Sequence, residues 1–205
     1  MIGGELEMVD DYFYLGDVMS CVSGAESAVR ARIAAAWKRW REFVGLLINR
    51  NIPMKKRTRI YQACIRPVLL CGGETWPITK RLEQLLRSCD LRMLRYMARI
   101  RWEDHISNEE VLHKCRLEEI SSVLRKQRLR WFGHVKRREE NSILRKAVDL
   151  KLSGRNPAGQ PQKTWQACIK EDLTLLNVRE GTAHDRVEWQ GFIECPTPTR
   201  GKKGQ

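Results

Sequence analysis

The sequence contains no long apolar run, no Cys-x-x-Cys pair and no basic-then-apolar start. A mean hydropathy of −0.50 without such a run excludes a membrane-spanning protein, so we expect no membrane partner. Because the first residues have no basic segment followed by an apolar one, we expect no secretory signal. Seven cysteines are an odd number spread along the chain, which indicates neither a disulfide framework nor a zinc ribbon. We therefore expect reduced thiols in an intracellular protein.

Sequence motifs for common catalytic chemistry are also missing. The chain has no Gly-rich phosphate loop, no Ser/His/Asp arrangement and no nucleophile elbow. A lone histidine, His134, is interpreted as a structural hydrogen-bonding residue, with a ligand or base as the alternative. We expect no catalytic residue, no metal site and no cofactor in this chain.

Positive charge is abundant and unevenly placed. The 205 residues include 38 Lys and Arg against 25 Asp and Glu, a net charge of +13. Residues 1–27 contain no Lys or Arg, residues 28–60 contain ten against one acid, and residues 116–170 contain fourteen against five. A strongly basic balance favours polyanionic partners, of which nucleic acid is the commonest. We therefore expect RNA, DNA or their hybrid as the partner.

Apolar periodicity predicts a mainly α chain. Spacings of three and four residues form a continuous seam over residues 26–49: Val29, Ile33, Ala36, Trp40, Phe43 and Leu47. Further helices are predicted over residues 54–66, 80–100, 108–115, 117–138, 163–177 and 182–194. Aromatic and β-branched residues at 11–19 predict a short β hairpin. The expected fold is a helical bundle preceded by this hairpin and followed by a basic helical C-terminal region.

The predicted helix over residues 117–138 carries the strongest candidate site. Its cations could neutralise phosphates and release counterions: Arg125, Lys126, Arg128, Arg130, Lys136, Arg137 and Arg138. The alternative is a solvated helix face. The apolar stripe of this helix is predicted to be Ile120, Val123, Leu124, Trp131 and Val135. We therefore expect Trp131 to be buried in the core and not to act as a base-stacking platform.

Six separated motifs follow one another between residues 10 and 190. They are Tyr14-Leu15-Gly16, Leu69 to Trp76, Asn108 to Leu112, Leu129 to Val135, Gly159-Gln160-Pro161 with Trp165 and Asp172-Leu173, and Asp185-Arg186 with Trp189. In this order they resemble the C-terminal part of a LINE-type (non-LTR) retrotransposon reverse transcriptase. Two positions depart from the family, since Cys71 replaces an aromatic residue and Gln160 replaces an arginine.

The resemblance implies an organisation in segments. Residues 1–22 would end a palm-like β segment, residues 23–103 would form a thumb-like helical domain, and residues 104–194 would form the basic helical C-terminal region. Residues 195–205 are expected to be a disordered tail.

A thumb grips the backbone of a template–primer duplex, so the resemblance implies a second set of nucleic-acid-binding residues: Lys38, Arg39, Arg41, Lys55, Lys56, Arg57 and Arg59. The run from Lys55 to Arg59 is also compatible with a nuclear-localisation patch. We expect a nuclear protein.

Catalytic chemistry in this family needs two metal ions held by palm carboxylates. The only adjacent aspartates near that position, Asp10 and Asp11, immediately precede the predicted strand. We therefore expect Mg²⁺ only in a palm that this chain lacks, and predict an inactive fragment that binds the template–primer backbone. The missing palm and endonuclease domains of a parent polyprotein would then be further partners. Two alternatives stay open: a non-catalytic pseudogene remnant or helical interaction protein, and part of an active RNA-directed DNA polymerase if the gene continues upstream.

Overall fold

The computed structural model describes residues 11–14, 17–20, 25–149 and 163–194, with side chains for residues 25–148 and 163–194. The backbones of β1 (Asp11–Tyr14) and β2 (Asp17–Ser20) pair antiparallel. The described ranges contain these helices: α1 (Ala25–Leu47), α2 (Met54–Cys64), α3 (Arg66–Leu70), α4 (Lys80–Ala98), α5 (Asn108–Cys115), α6 (Ile120–Lys136), α7 (Ile143–Asp149), α8 (Trp165–Leu176) and α9 (Arg186–Glu194). The prediction of a mainly helical chain is confirmed. None of the described helices is both long and apolar enough to cross a bilayer.

Apolar periodicity predicted most of these helices but neither α3, which has five residues, nor α7. Helix α7 has seven residues, and its Ile143 side chain is 84% exposed. Because α7 spans only about two turns, it is too short for apolar periodicity to distinguish it from a loop. Short 3-10 turns at Gly73–Thr75, Trp102–Asp104 and Glu180–His184 connect the longer elements.

Two compact units divide the chain. The first comprises Met1–Gly72 and Lys80–Ile120, and the second comprises Gly73–Thr79 and Ser121–Gln205. This division differs from the predicted boundary after residue 103, because α5 packs against α4 and so belongs to the first unit. Of the predicted palm-like segment, residues 1–22, the structure describes only the backbone of β1 and β2. The predicted tail, residues 195–205, lies outside the described residues.

The first unit is built around the apolar seam of α1. This helix packs against α2, α3 and α4. Val29, Ala36, Trp40 and Leu47 are buried along it, at the spacing that one face of a helix requires. The ring of Trp40 meets the ring of Tyr61 from α2 edge to face, with centroids 6.1 Å apart. The predicted seam thus faces the core of this unit.

A buried polar network joins α2, α3 and α4 in the same unit. The Tyr61 hydroxyl donates to Asp90 Oδ1 at 2.6 Å, and the Arg66 guanidinium donates to both carboxylate oxygens of Asp90, at 3.0 and 2.8 Å. Burial, reinforced by the Asp90 charge, raises the pKa of Tyr61 well above its usual range, so the phenol stays a proton donor. Arg66 also donates to the carbonyl of Glu118 at 2.7 Å. Every member is therefore partnered, as a buried network requires.

The start of α5 is fixed by a capping box. The Ser107 hydroxyl accepts from the amide of Glu110, and the Glu110 carboxylate accepts from the amide of Ser107 at 2.7 Å. The hydrogen bond to the Ser107 amide lowers the pKa of Glu110. Val111 and Cys115 then face the core. The motif from Asn108 to Leu112 is thereby explained by helix initiation and packing.

In the second unit, the core lies among α6, α8 and α9. Its buried members are Leu129, Phe132, Ile169, Leu173, Ala183, Trp189 and Ile193. The predicted stripe of α6 was right for Ile120, Leu124 and Val135 but wrong for Val123 and Trp131, which are only half-buried. Trp131 instead stacks on His134, with ring centroids 5.4 Å apart and planes 20° from parallel. Leu129 and Phe132 fill the core, because the buried face of α6 is rotated from the predicted one.

A glycine on α6 makes room for the tryptophan of α9. A Cβ atom built on Gly133 would lie 2.7 Å from Cδ1 of Trp189, closer than packed carbon atoms approach. The indole nitrogen of Trp189 donates to the carbonyl of Leu129 at 3.0 Å. Asp185 accepts from the amides of Val187 and Glu188, so α9 begins in register with this contact. The motif from Leu129 to Val135 and the motif of Asp185-Arg186 with Trp189 therefore pack against each other.

Buried cysteines behave as small core residues. Cys89, Cys115 and Cys168 are buried, and the five described cysteines are free thiols. Burial raises the pKa of Cys89 to about 12 and that of Cys115 to about 11. Such thiols carry almost no thiolate at neutral pH and are poor nucleophiles.

Candidate nucleic-acid interface

Exposed cations follow one another on α1. Lys38 and Arg41 are exposed and make no ion pair or hydrogen bond among the described residues. Arg39 differs, because it donates to Glu42 at 2.7 Å and lies over the ring of Phe43 at 5.3 Å. An exposed pair of this kind contributes little stability, but Glu42 partly neutralises the charge of Arg39. All three predicted residues on α1 thus present charge to solvent.

On α2 the predicted cations divide into two kinds. Lys55, Lys56 and Arg59 are exposed and have no partner among the described residues. Arg57 is half-buried, and its Nη1 atom donates to the carbonyls of Leu47 and Met97, at 3.3 and 2.7 Å. These carbonyls lie at the C-terminal ends of α1 and α4, where helices leave acceptors unsatisfied. The structure therefore gives Arg57 a role in the fold.

The most buried cation of the predicted basic helix is Arg128 on α6. Its side chain is 8% exposed, and its Nε donates to Asp172 Oδ2 at 2.7 Å. Arg125, 18% exposed, lies 3.5 Å from the other oxygen of Asp172. Burial raises the pKa of Asp172, against the opposing effect of the two guanidinium groups. Arg128 is thus enclosed in the unit and not presented on its surface.

Further cations of α6 also have partners within the second unit. Lys136 pairs with Glu180 at 2.6 Å and lies over the Phe132 ring. Arg137 donates to the carbonyl of Ala183 at 2.7 Å. These contacts tie α6 to the turn that precedes α9.

The outer face of α6 carries weaker contacts. Arg130 pairs with Glu194, and both side chains are about half exposed. The hydrogen bond from Arg130 lowers the pKa of Glu194, and the charge of half-buried Lys126 adds to this effect. Arg138 contacts the His134 ring at 3.3 Å. His134 thus takes part in a hydrogen bond and a ring stack on the surface.

Sequence reasoning missed a group of arginines at the end of α4. Arg92 and Arg95 lie on this helix, and Arg99 directly follows its last residue. In the structure they line one groove of about 1090 Å³ with Arg50 and Arg101. The missed signal was the spacing of three residues between Arg92 and Arg95, which places both side chains on one face of α4.

Comparison with known proteins gives one similarity that bears on origin. The chain is 22% identical over 206 residues to an uncharacterised transposon-derived protein of Caenorhabditis elegans, a match that covers 94% of this chain and 73% of the relative. No family model matches the chain, and no solved structure matches it. The similarity indicates a transposon-related origin.

Proposed function

We propose that this chain is a nucleic-acid-binding part of a LINE-type retrotransposon reverse transcriptase. It binds the template–primer backbone and does not perform polymerisation. The similarity to a transposon-derived protein supports the origin. The order of the six motifs supports the reverse-transcriptase assignment and the thumb-like role of the first unit. Nuclear localisation is part of the same proposal.

One observation carries the binding proposal. Five exposed cations on two successive helices have no acidic partner among the described residues: Lys38, Arg41, Lys55, Lys56 and Arg59. Unpaired exposed cations that meet phosphates release condensed counterions, which is the main source of sequence-independent affinity. Three of them lie on α2, where removal of charge leaves the core untouched.

Binding is tested by titrating the full chain into a labelled 20-base-pair RNA–DNA hybrid at several salt concentrations. We expect the affinity to fall steeply with salt. The triple variant Lys55→Ala, Lys56→Ala and Arg59→Ala should make the slope of log K against log salt shallower by about 2–3, since each lost phosphate contact removes nearly one counterion.

The matched control removes the same number of cations from α6, as Arg130→Ala, Arg137→Ala and Arg138→Ala. Because these arginines have partners within the second unit, we expect a smaller change in slope. Binding that is absent or independent of salt would reject the proposal. Equal losses in both variants would reject the assignment to α2, and nucleotide incorporation by the purified chain would reject the non-catalytic role.

A further inference from the structure

The groove beside α4 combines positive charge with exposed aromatic rings. Arg50, Arg92, Arg95, Arg99 and Arg101 line it, and none of the five forms an ion pair in the described part of the chain. Tyr96 is 52% exposed and Trp102 is 79% exposed in the same groove. Exposed apolar side chains that share one groove are typical of an interaction site, whereas single scattered ones are not.

A neighbouring ring holds Tyr96 in place, and a capped turn fixes the backbone of Trp102. The Tyr96 ring meets the Trp37 ring edge to face, with centroids 6.2 Å apart, and the guanidinium of Arg92 lies 5.7 Å from the Trp37 ring. Trp102 begins a 3-10 turn that Asp104 closes by accepting from the amide of Arg101 at 2.7 Å. The two rings are therefore displayed on fixed backbone.

Two of these arginines also donate hydrogen bonds to backbone carbonyls. Arg95 donates to the carbonyl of Ile106 at 2.8 Å, and Arg99 donates to the carbonyl of Ile48 at 3.1 Å. Each guanidinium has five N–H donors, so such contacts leave others for a ligand. Glu103 and Asp104 also line the groove, but five guanidinium groups against two carboxylates leave it positive.

The groove continues along α1. A second depression of about 520 Å³ is lined by Trp37, Arg41 and Val44, and it shares Ile48, Arg92 and Tyr96 with the first. Arg41 is one of the five unpartnered cations described above. The positive surface and the aromatic surface therefore meet within the first unit.

We propose that this groove binds single-stranded nucleic acid, with the phosphates on its arginines and unpaired bases stacked on Trp102 and Tyr96. Alternating cations and ring faces suit a chain of phosphates and bases. A duplex hides the faces of its bases, and an acidic peptide would use the arginines but leave the rings uncovered. The proposal rests on nucleic-acid binding by this chain and adds a strand preference to it.

The test uses the full chain and two labelled probes of equal length, a 12-nucleotide oligo(dT) and a 12-base-pair duplex. We expect wild-type protein to prefer the single strand at equal salt. Trp102→Ala should weaken single-strand binding by about tenfold, within the range for loss of one stacked base. Its affinity for the duplex and the salt slope for the single strand should stay unchanged, because no charge is lost.

Two control variants separate stacking from unfolding. Trp102→Phe keeps a ring and should restore most of the affinity, whereas Ile143→Ala removes an equally open apolar side chain in the second unit and should have no effect. Equal binding of the single strand by wild type and Trp102→Ala would overturn this inference while leaving backbone binding intact. Preference for the duplex, or tighter binding of poly-glutamate than of oligo(dT), would also overturn it. Absence of binding to either nucleic acid would overturn the proposed function as well.

Discussion

The two basic regions of this chain look alike in sequence and differ in structure. Residues 28–60 and residues 116–170 each carry an excess of nine positive charges. Lys38, Arg41 and the three exposed cations of α2 have no partner among the described residues. On α6, by contrast, Arg128, Lys136 and Arg130 pair with carboxylates.

The difference comes from acids that are distant along the chain. Asp172 and Glu180 each lie 44 residues beyond the cation they meet, and Glu194 lies 64 residues beyond Arg130. A count of charge within a sequence segment does not include them. The charge excess counted within a segment therefore overestimates the number of unpaired cations on α6. For α1 and α2 the same count is closer to the number of unpaired cations.

The sharpest test of this comparison is the buried pair on α6. Arg128→Ala should destabilise the protein by about 3–5 kcal/mol, because Asp172 would be left buried with a weaker partner. Urea denaturation followed by circular dichroism measures the change. A variant that keeps wild-type stability but loses nucleic-acid affinity would show that Arg128 serves binding after all.

Two tryptophans of the basic helices provide the next test. Trp40 on α1 is 5% exposed, and Trp40→Ala should cost about 3–5 kcal/mol. Trp131 on α6 is half-buried on the surface, so Trp131→Ala should cost well below that range. Both variants are compared in the same denaturant titration. Equal losses would mean that Trp131 packs as deeply as Trp40.

The smallest effect concerns the pH dependence of the outer pair on α6. Because Arg130 lowers the pKa of Glu194, the stability from this pair is present above the ordinary carboxylate pKa and is lost as pH falls through the lowered value. Glu194→Gln should therefore lower the melting temperature slightly at pH 7, and its difference from the wild type should shrink as the pH falls below the ordinary carboxylate pKa. A difference that did not shrink with falling pH would assign another role to Glu194.

Much of the fold could be predicted from the sequence because helices obey a local rule. The seam from Val29 to Leu47 and the Ser107–Glu110 capping box are set by residues three or four positions apart. The burial of Trp131 was mispredicted because Phe132, its neighbour, competes for the same core and has α8 and α9 to pack against. That choice depends on elements distant in sequence.

The candidate site shows the same division. Exposure of Lys55, Lys56 and Arg59 agrees with their position off any apolar stripe. The roles of Arg57 and Arg128 follow from a carbonyl 40 residues away and a carboxylate 44 residues away. The motifs that carry the resemblance, such as Gly133 with Trp189, are packing arrangements. They therefore inform on fold and ancestry more than on binding chemistry.

The fit of Trp189 over Gly133 has a practical consequence for anyone shortening this protein. A product that stops before Asp185 would lose both the indole that covers the glycine and the carboxylate that starts its helix. Leu129 and Phe132 would then be exposed on α6, whose other residues are largely basic. We expect such a product to self-associate through these side chains. Expression boundaries for the second unit should accordingly extend through Glu194.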